Sequence, residues 1–131
     1  MEAIACNSII KSFGEPPLVI LKSLSFGIAQ GEFVGVTGRS GSGKSTLLYS
    51  VSGLDIINSG TVHISGMNVH NMKSREMHEF RNRKLGFVFQ FHYLLPEINA
   101  LENILMPARK IGEEKKRTKK ALAFMEEFEI L

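Results

Sequence analysis

A chain of 131 residues, 44% hydrophobic and 22% charged, has the length of one modest domain and the composition of an ordinary soluble globular protein, which excludes disordered, collagen-like and disulfide-scaffold classes. The net charge of +3 is unevenly spread: residues 1–72 set four basic against four acidic side chains, residues 73–120 twelve against six, and residues 121–131 carry three acidic and no basic ones. The basic excess is thus regional. Cys6, the single cysteine, excludes an intrachain disulfide, no run of ~18 apolar residues could cross a membrane, and the start MEAIACNSIIKSFGE lacks the apolar stretch of a secretory signal. A reducing, cytoplasmic setting is the expectation.

In chain order, residues 3–11 and 17–28 are apolar and β-branched runs broken by Gly14, Glu15, Pro16 and Pro17, which predicts two strands joined by a turn. Gln30 and Gly31 mark a second turn. The short apolar run Phe33–Thr37, followed at once by glycines, predicts a strand buried on both faces. Lys44–Ser52 places Leu47, Leu48 and Val51 at helical spacing, with Gly53 as a stop. A strand follows over Gly60–Ile64, then a short surface helix over Ser74–Arg83 with Met77 and Phe80 three apart. Leu85–Phe89 predicts a second buried strand. Leu101–Ile111 and Glu113–Leu131 predict helices, the latter burying Leu122, Met125 and Phe128. The order of strand, glycine loop, helix and strand is that of an α/β fold.

Gly38-Arg39-Ser40-Gly41-Ser42-Gly43-Lys44-Ser45 fits G-x-x-x-x-G-K-S/T at every fixed position, between an expected strand and an expected helix. Three glycines let the backbone curl around an anion so that successive N–H groups face inward at a helix N-terminus, where the dipole favours negative charge. Lys44 adds a cation able to reach β- and γ-phosphates, and the Ser45 hydroxyl can coordinate Mg²⁺. Thr46 offers a further amide and a hydroxyl near an α-phosphate, while Arg39 and Ser40 contribute backbone only. The expected ligand is a nucleoside triphosphate with magnesium. The motif does not choose among GTPases, small-molecule kinases, helicases and transport ATPases.

GRSGSGKST, the following LLYSVSGLD, Ser59-Gly60 and RNRKLGFVFQ at Arg81–Gln90 together resemble the nucleotide-binding domain of ATP-binding-cassette (ABC) transporters, over essentially the whole chain. FHYLLPEINALENILMP, Phe91–Pro107, is similar to the branch holding lipoprotein-releasing and macrolide-exporting ATPases. The resemblance implies a P-loop NTPase core with an N-terminal antiparallel β-subdomain and the start of a helical subdomain, residues 1–90 holding the β-subdomain and phosphate-loop core and residues 91–131 the Q-loop and helical start. It implies ATP and Mg²⁺ as ligands, a membrane-spanning permease and a second ATPase subunit as partners, and a place on the cytoplasmic face of the inner membrane reached only through the permease. It further implies that Gln90, expected at the end of a parallel strand, is the Q-loop glutamine that ligates magnesium and orients water. Phe13 falls where the family places a tyrosine that stacks on adenine; phenylalanine keeps the π-face, and packing within the turn is the competing role. For Phe91–Pro107 two roles stand open: filling a core beneath the helical subdomain, or forming a groove for the permease.

His63, His70, His78 and His92 lack metal-ligand spacing, Cys6 reads as a small buried apolar residue, and EEKKRTKKA at Glu113–Ala121 reads as a solvated helix face with no nucleic-acid partner. After Gln90 there is no apolar run ending in Asp-Glu, no Leu-Ser-Gly-Gly and no later switch histidine. The chain is therefore expected to be the amino-terminal part of one such ATPase domain, binding magnesium ATP at most weakly and turning over essentially none by itself. A non-catalytic nucleotide-binding fragment or degraded gene product, and another P-loop enzyme such as a small-molecule kinase, are the alternatives.

Overall fold

The computed structural model describes residues 2–130. They form two compact units, one ending at Arg81 and the other starting at Asn82.

The first unit holds β1 (Glu2–Phe13), β2 (Leu18–Ala29), α1 (Lys44–Val51), β3 (Ser59–Ile64), β4 (Met67–Asn68), a 3-10 turn at Val69–Asn71 and most of α2 (Ser74–Lys84). The strands form one antiparallel sheet in the order β2-β1-β3-β4. The β1–β2 hairpin closes at Phe13↔Leu18, just before Gly14 at φ 76°. Cys6 pairs with Phe26 on one side and Val62 on the other. β1 breaks register with both neighbours around Ser8, whose φ is 48° and whose N–H donates to Ser25 Oγ at 2.8 Å. Such a bulge bends and twists a strand. Cys6, Ile9, Leu21, Val62, Ile64 and Val69 are buried with Met77 and Phe80 of α2, each contributing about 1.5–3 kcal/mol by leaving water. Burial pushes the Cys6 thiol up to about 11, so it stays protonated and behaves as an apolar core residue.

α1 ends as predicted. Gly53, φ 67°, lies one residue beyond the C-cap; its N–H donates to Ser50 O and that of Leu54 to Tyr49 O, a Schellman closure. Arg81 donates to Gly53 O at 2.9 Å and His70 Nε2 to Ser50 O at 2.8 Å.

His70 is half-buried, and burial is the main force holding its pKa below the ordinary value of 6.5. The unfolded chain therefore takes up this proton at higher pH than the folded one, so its contribution is intact above about 6.5 and is lost as pH falls from there through the lower folded value. Urea midpoints measured from neutral pH downward are expected to fall more steeply for the wild type than for His70→Gln; parallel slopes would contradict this.

Two expected strands are absent. Phe33–Thr37 and Leu85–Phe89 form no regular element and no sheet pairing, and Phe33 is 98% exposed and Val88 fully so. A continuous apolar run becomes a buried strand only with hydrogen-bonded strands on its flanks and cover on its faces. Among the described residues every paired strand belongs to the antiparallel sheet.

The second unit contains α3 (Ala100–Lys110) and α4 (Glu114–Glu127), which pack on each other through Leu105, Ala121 and Met125. A capping box starts α3: Asn99 Oδ1 accepts from Glu102 N–H at 2.9 Å and Asn99 N–H donates to Glu102 Oε2 at 3.1 Å. Asn103 closes the preceding loop, accepting from Leu95 N–H and donating to the carbonyls of Leu95, Ile98 and Asn99. Glu113 bridges Arg83 and Arg117, and Arg109 pairs with Glu114; these arginines hold both carboxyls below the usual carboxylate range. The expected α4 stripe is corrected. Ala121 and Met125, four apart, face inward, whereas Leu122 and Phe128 are exposed. The alanine admits close approach of α3, so the contact face lies one residue away from the largest side chains.

Candidate functional site

The unpaired segment Phe33–Thr37 delivers the chain into Gly38, φ 154°, and the loop then turns through Gly41 at 76° and Gly43 at 92°. These angles suit glycine alone. A Cβ on Gly38 would lie 2.7 Å from Ser42 Oγ, and one on Gly43 2.7 Å from Ile20 Cγ2 of β2. The loop is tightened by Ser42 N–H donating to Arg39 O at 3.2 Å. Lys44 folds back across it, its Nζ donating to Gly38 O at 2.9 Å and Arg39 O at 2.8 Å.

Gly43 is the N-cap of α1, without a side-chain cap bond, and Leu47 N–H makes the first helical bond, to Gly43 O at 2.8 Å. The amides of Lys44, Ser45 and Thr46 consequently have no acceptor inside the helix. No acidic side chain sits in this turn. Helix dipole, three free-pointing amides and the Lys44 ammonium all favour an anion here, and the exposed Ser45 hydroxyl lies in the same turn. The opposite end of α1 is fixed by Arg81 and His70. One end is anchored and the other open, which suits a grip on phosphate. The donor set fits a nucleoside triphosphate with magnesium: amides and ammonium for phosphate oxygens, a hydroxyl oxygen for a hard cation.

Phe13 ends β1 and is 46% exposed, so part of the ring is accessible to a ligand. Lys11 Nζ stands 4.5 Å from its ring centroid, and this lysine is a neighbour that motif reading missed; the readable signal was the i, i+2 spacing on a strand, which puts both on one face. Gln90 belongs to the second unit, in an exposed bend after the unpaired Leu85–Phe89 segment and not at the end of a strand. Aromatic rings flank it: Phe87 stacks on Phe89 at 5.6 Å, and Phe89 and Phe91 meet Tyr93 edge-on at 5.2 and 6.3 Å. Capping box and Asn103 clasp hold the chain that follows. Of Phe91–Pro107 only Leu105 is buried, and Leu94, Leu95, Pro96, Ile98 and Ile104 line, with Ile130, an apolar hollow of about 630 Å³. The segment thus gives Leu105 to the core between α3 and α4 and leaves most of its other apolar side chains accessible.

Residues 21–131 match the family model described as ABC transporter. The chain is 48% identical over 127 residues to the lipoprotein-releasing system ATP-binding protein LolD of Leptospira interrogans, covering 97% of this chain and 53% of that protein. It is 52% identical over 100 residues to LolD of Aquifex aeolicus, covering 76% and 45%. Among solved structures, the ATP-binding cassette MJ0796, in a dimeric post-hydrolysis state bound to ADP and Pi, superposes with a TM-score of 0.83 at 34% identity, covering 94% of this chain and 56% of that one. The chain spans about half the length of the curated relatives it matches.

Proposed function

The chain belongs to the ABC transporter family, and from that membership we propose that it binds magnesium ATP through Gly38–Thr46 and serves an ATPase subunit that energises lipoprotein release or export through a membrane permease. The observation that carries the reading is the open N-terminus of α1, where three amides without helical acceptors, a lysine and a hydroxyl converge. In this reading the amides of Lys44, Ser45 and Thr46 hold the β-phosphate, Lys44 spans the β- and γ-phosphates, and Phe13 stacks on adenine. Ser45 would hold Mg²⁺, which when bound would offset charge on the phosphate oxygens. For Gln90, in its exposed bend, family membership is what supports the Q-loop roles of magnesium ligand, water-orienting amide and link to the permease.

The lipoprotein substrate class comes from the names of the LolD relatives, and the second ATPase subunit from the dimeric MJ0796 cassette. No helix among the described residues is long and apolar enough to cross a membrane, so attachment to the cytoplasmic face is assigned to the permease. In the division of labour proposed here, residues 1–90 grip the nucleotide and residues 91–131 carry the coupling segment. The 131 residues include no apolar-Asp-Glu strand to position the hydrolytic water, so this polypeptide alone is expected to bind without sustained turnover.

Titration of a fluorescent ATP analogue into the chain, with and without Mg²⁺, tests the reading. Saturable binding that Mg²⁺ strengthens is expected, with phosphate release at background. Absence of saturable binding at millimolar nucleotide would overturn the ligand assignment, and multiple turnovers would overturn the division of labour.

A further inference from the structure

We propose that Lys11 is a positioning residue for base recognition: it holds the Phe13 ring and conditions its open face for a purine whose phosphates sit at the N-terminus of α1. The proposal rests on the nucleotide reading above and adds a specificity element to it.

Lys11 is only 8% exposed, and a buried ammonium must find partners. It has three. Nζ donates to Asp55 Oδ1 at 2.8 Å and to Ile56 O at 2.6 Å, and it stands over the Phe13 ring at 4.5 Å. The first two tie β1 to the segment that follows α1. That segment is itself fixed, since Asp55 N–H donates to Tyr49 O and Ile56 N–H to Asp55 Oδ1. Asn58 Oδ1 holds Ser12 N–H, between the two side chains, at 2.7 Å. The lysine therefore has little freedom to leave the ring.

The aromatic and the phosphate grip share this frame. Lys11 pairs with Leu21 and Phe13 with Leu18 across the hairpin, while a Cβ on Gly43, the N-cap of α1, would lie 2.7 Å from Ile20 and 3.9 Å from Leu21. The strand pair that presents Phe13 thus abuts the start of α1. A cation against one π-face draws electron density from the ring and weakens its repulsion toward a second π-system stacked on the other face. A buried ion pair is poor evidence for stability in itself, whereas one that also fixes an exposed ring has a use in recognition.

The test compares affinities for an ATP analogue and for inorganic tripolyphosphate, which has the phosphates and no base. The chains are wild type, Lys11→Met, Lys11→Arg, Phe13→Leu, Lys11→Met with Phe13→Leu, and Lys11→Met with Asp55→Asn, which removes the half-buried carboxylate charge together with its cation. Losing the cation is expected to weaken ATP binding by about 5- to 10-fold and to leave tripolyphosphate binding within about twofold. Lys11→Arg should restore ATP affinity, and Lys11→Met added to Phe13→Leu should cost nothing further. Equal loss for both ligands, no loss for ATP, additivity with Phe13→Leu, or unfolding of Lys11→Met with Asp55→Asn by circular dichroism would overturn the proposal. A wild-type chain that binds neither ligand would overturn the nucleotide reading instead.

Discussion

Lys44→Ala is expected to lower affinity for magnesium ATP by about 100-fold, equivalent to roughly 2.7 kcal/mol, with little change in thermal midpoint. Charge-assisted bonds to phosphate are about twice as strong as neutral ones, and alanine removes the ammonium that lies across the loop. The fold should tolerate the change. Lys44 donates only to the exposed carbonyls of Gly38 and Arg39, which water can satisfy once the ammonium is gone. The loop geometry is held by glycine angles and by the Ser42–Arg39 bond, neither of which involves the lysine side chain. Equal affinities for wild type and variant would remove Gly38–Thr46 from the site.

The largest stability effect is expected at Gly60. Gly60→Ala should cost about 3 kcal/mol or more, read as a fall in urea midpoint or loss of soluble protein. Its φ is 94°, and a Cβ there would stand 2.5 Å from Ser8 O, 2.6 Å from Asn7 O and 2.7 Å from Ile9 Cα. All three are backbone atoms of the β1 bulge. They can yield only by opening the β1–β3 ladder, on which Cys6, Val62 and Ile64 depend for burial. Gly66→Ala separates strain from collision: φ is 79° but nothing lies within 4 Å of the added carbon, so a loss nearer ~1 kcal/mol is expected. Similar losses at both glycines would show that backbone angle alone, and not close approach to β1, sets the requirement at Gly60.

Much of the first unit is legible in the sequence. Gly14 and two prolines break two β-branched runs, and the hairpin forms there; Met77 and Phe80 face inward three apart as the pattern predicts. Gly53 stops α1 because the left-handed angle and the Schellman bonds are local. The capping box at Asn99 and Glu102 was also legible, three residues apart, and passed unread amid a longer apolar segment. The Lys11–Asp55 pair and the Asn103 clasp were not. Their partners lie 44 and 8 residues away, respectively, for Asp55 and Leu95, and no periodicity marks a polar side chain that binds backbone.

The sequence by itself determined the phosphate loop, the hairpin and the helices, because glycine angles, caps and 3.6-residue periodicity act over a few residues at most. Long-range packing sets the rest: that Phe33–Thr37 and Leu85–Phe89 stay unpaired, that Ala121 and Met125 carry the α4 contact, and that Lys11 stands against Phe13. Each of these depends on which atoms a distant part of the chain brings alongside. A strand needs a neighbour for its hydrogen bonds, a helix face needs a surface close enough to exclude water, and a buried cation needs its carboxylate.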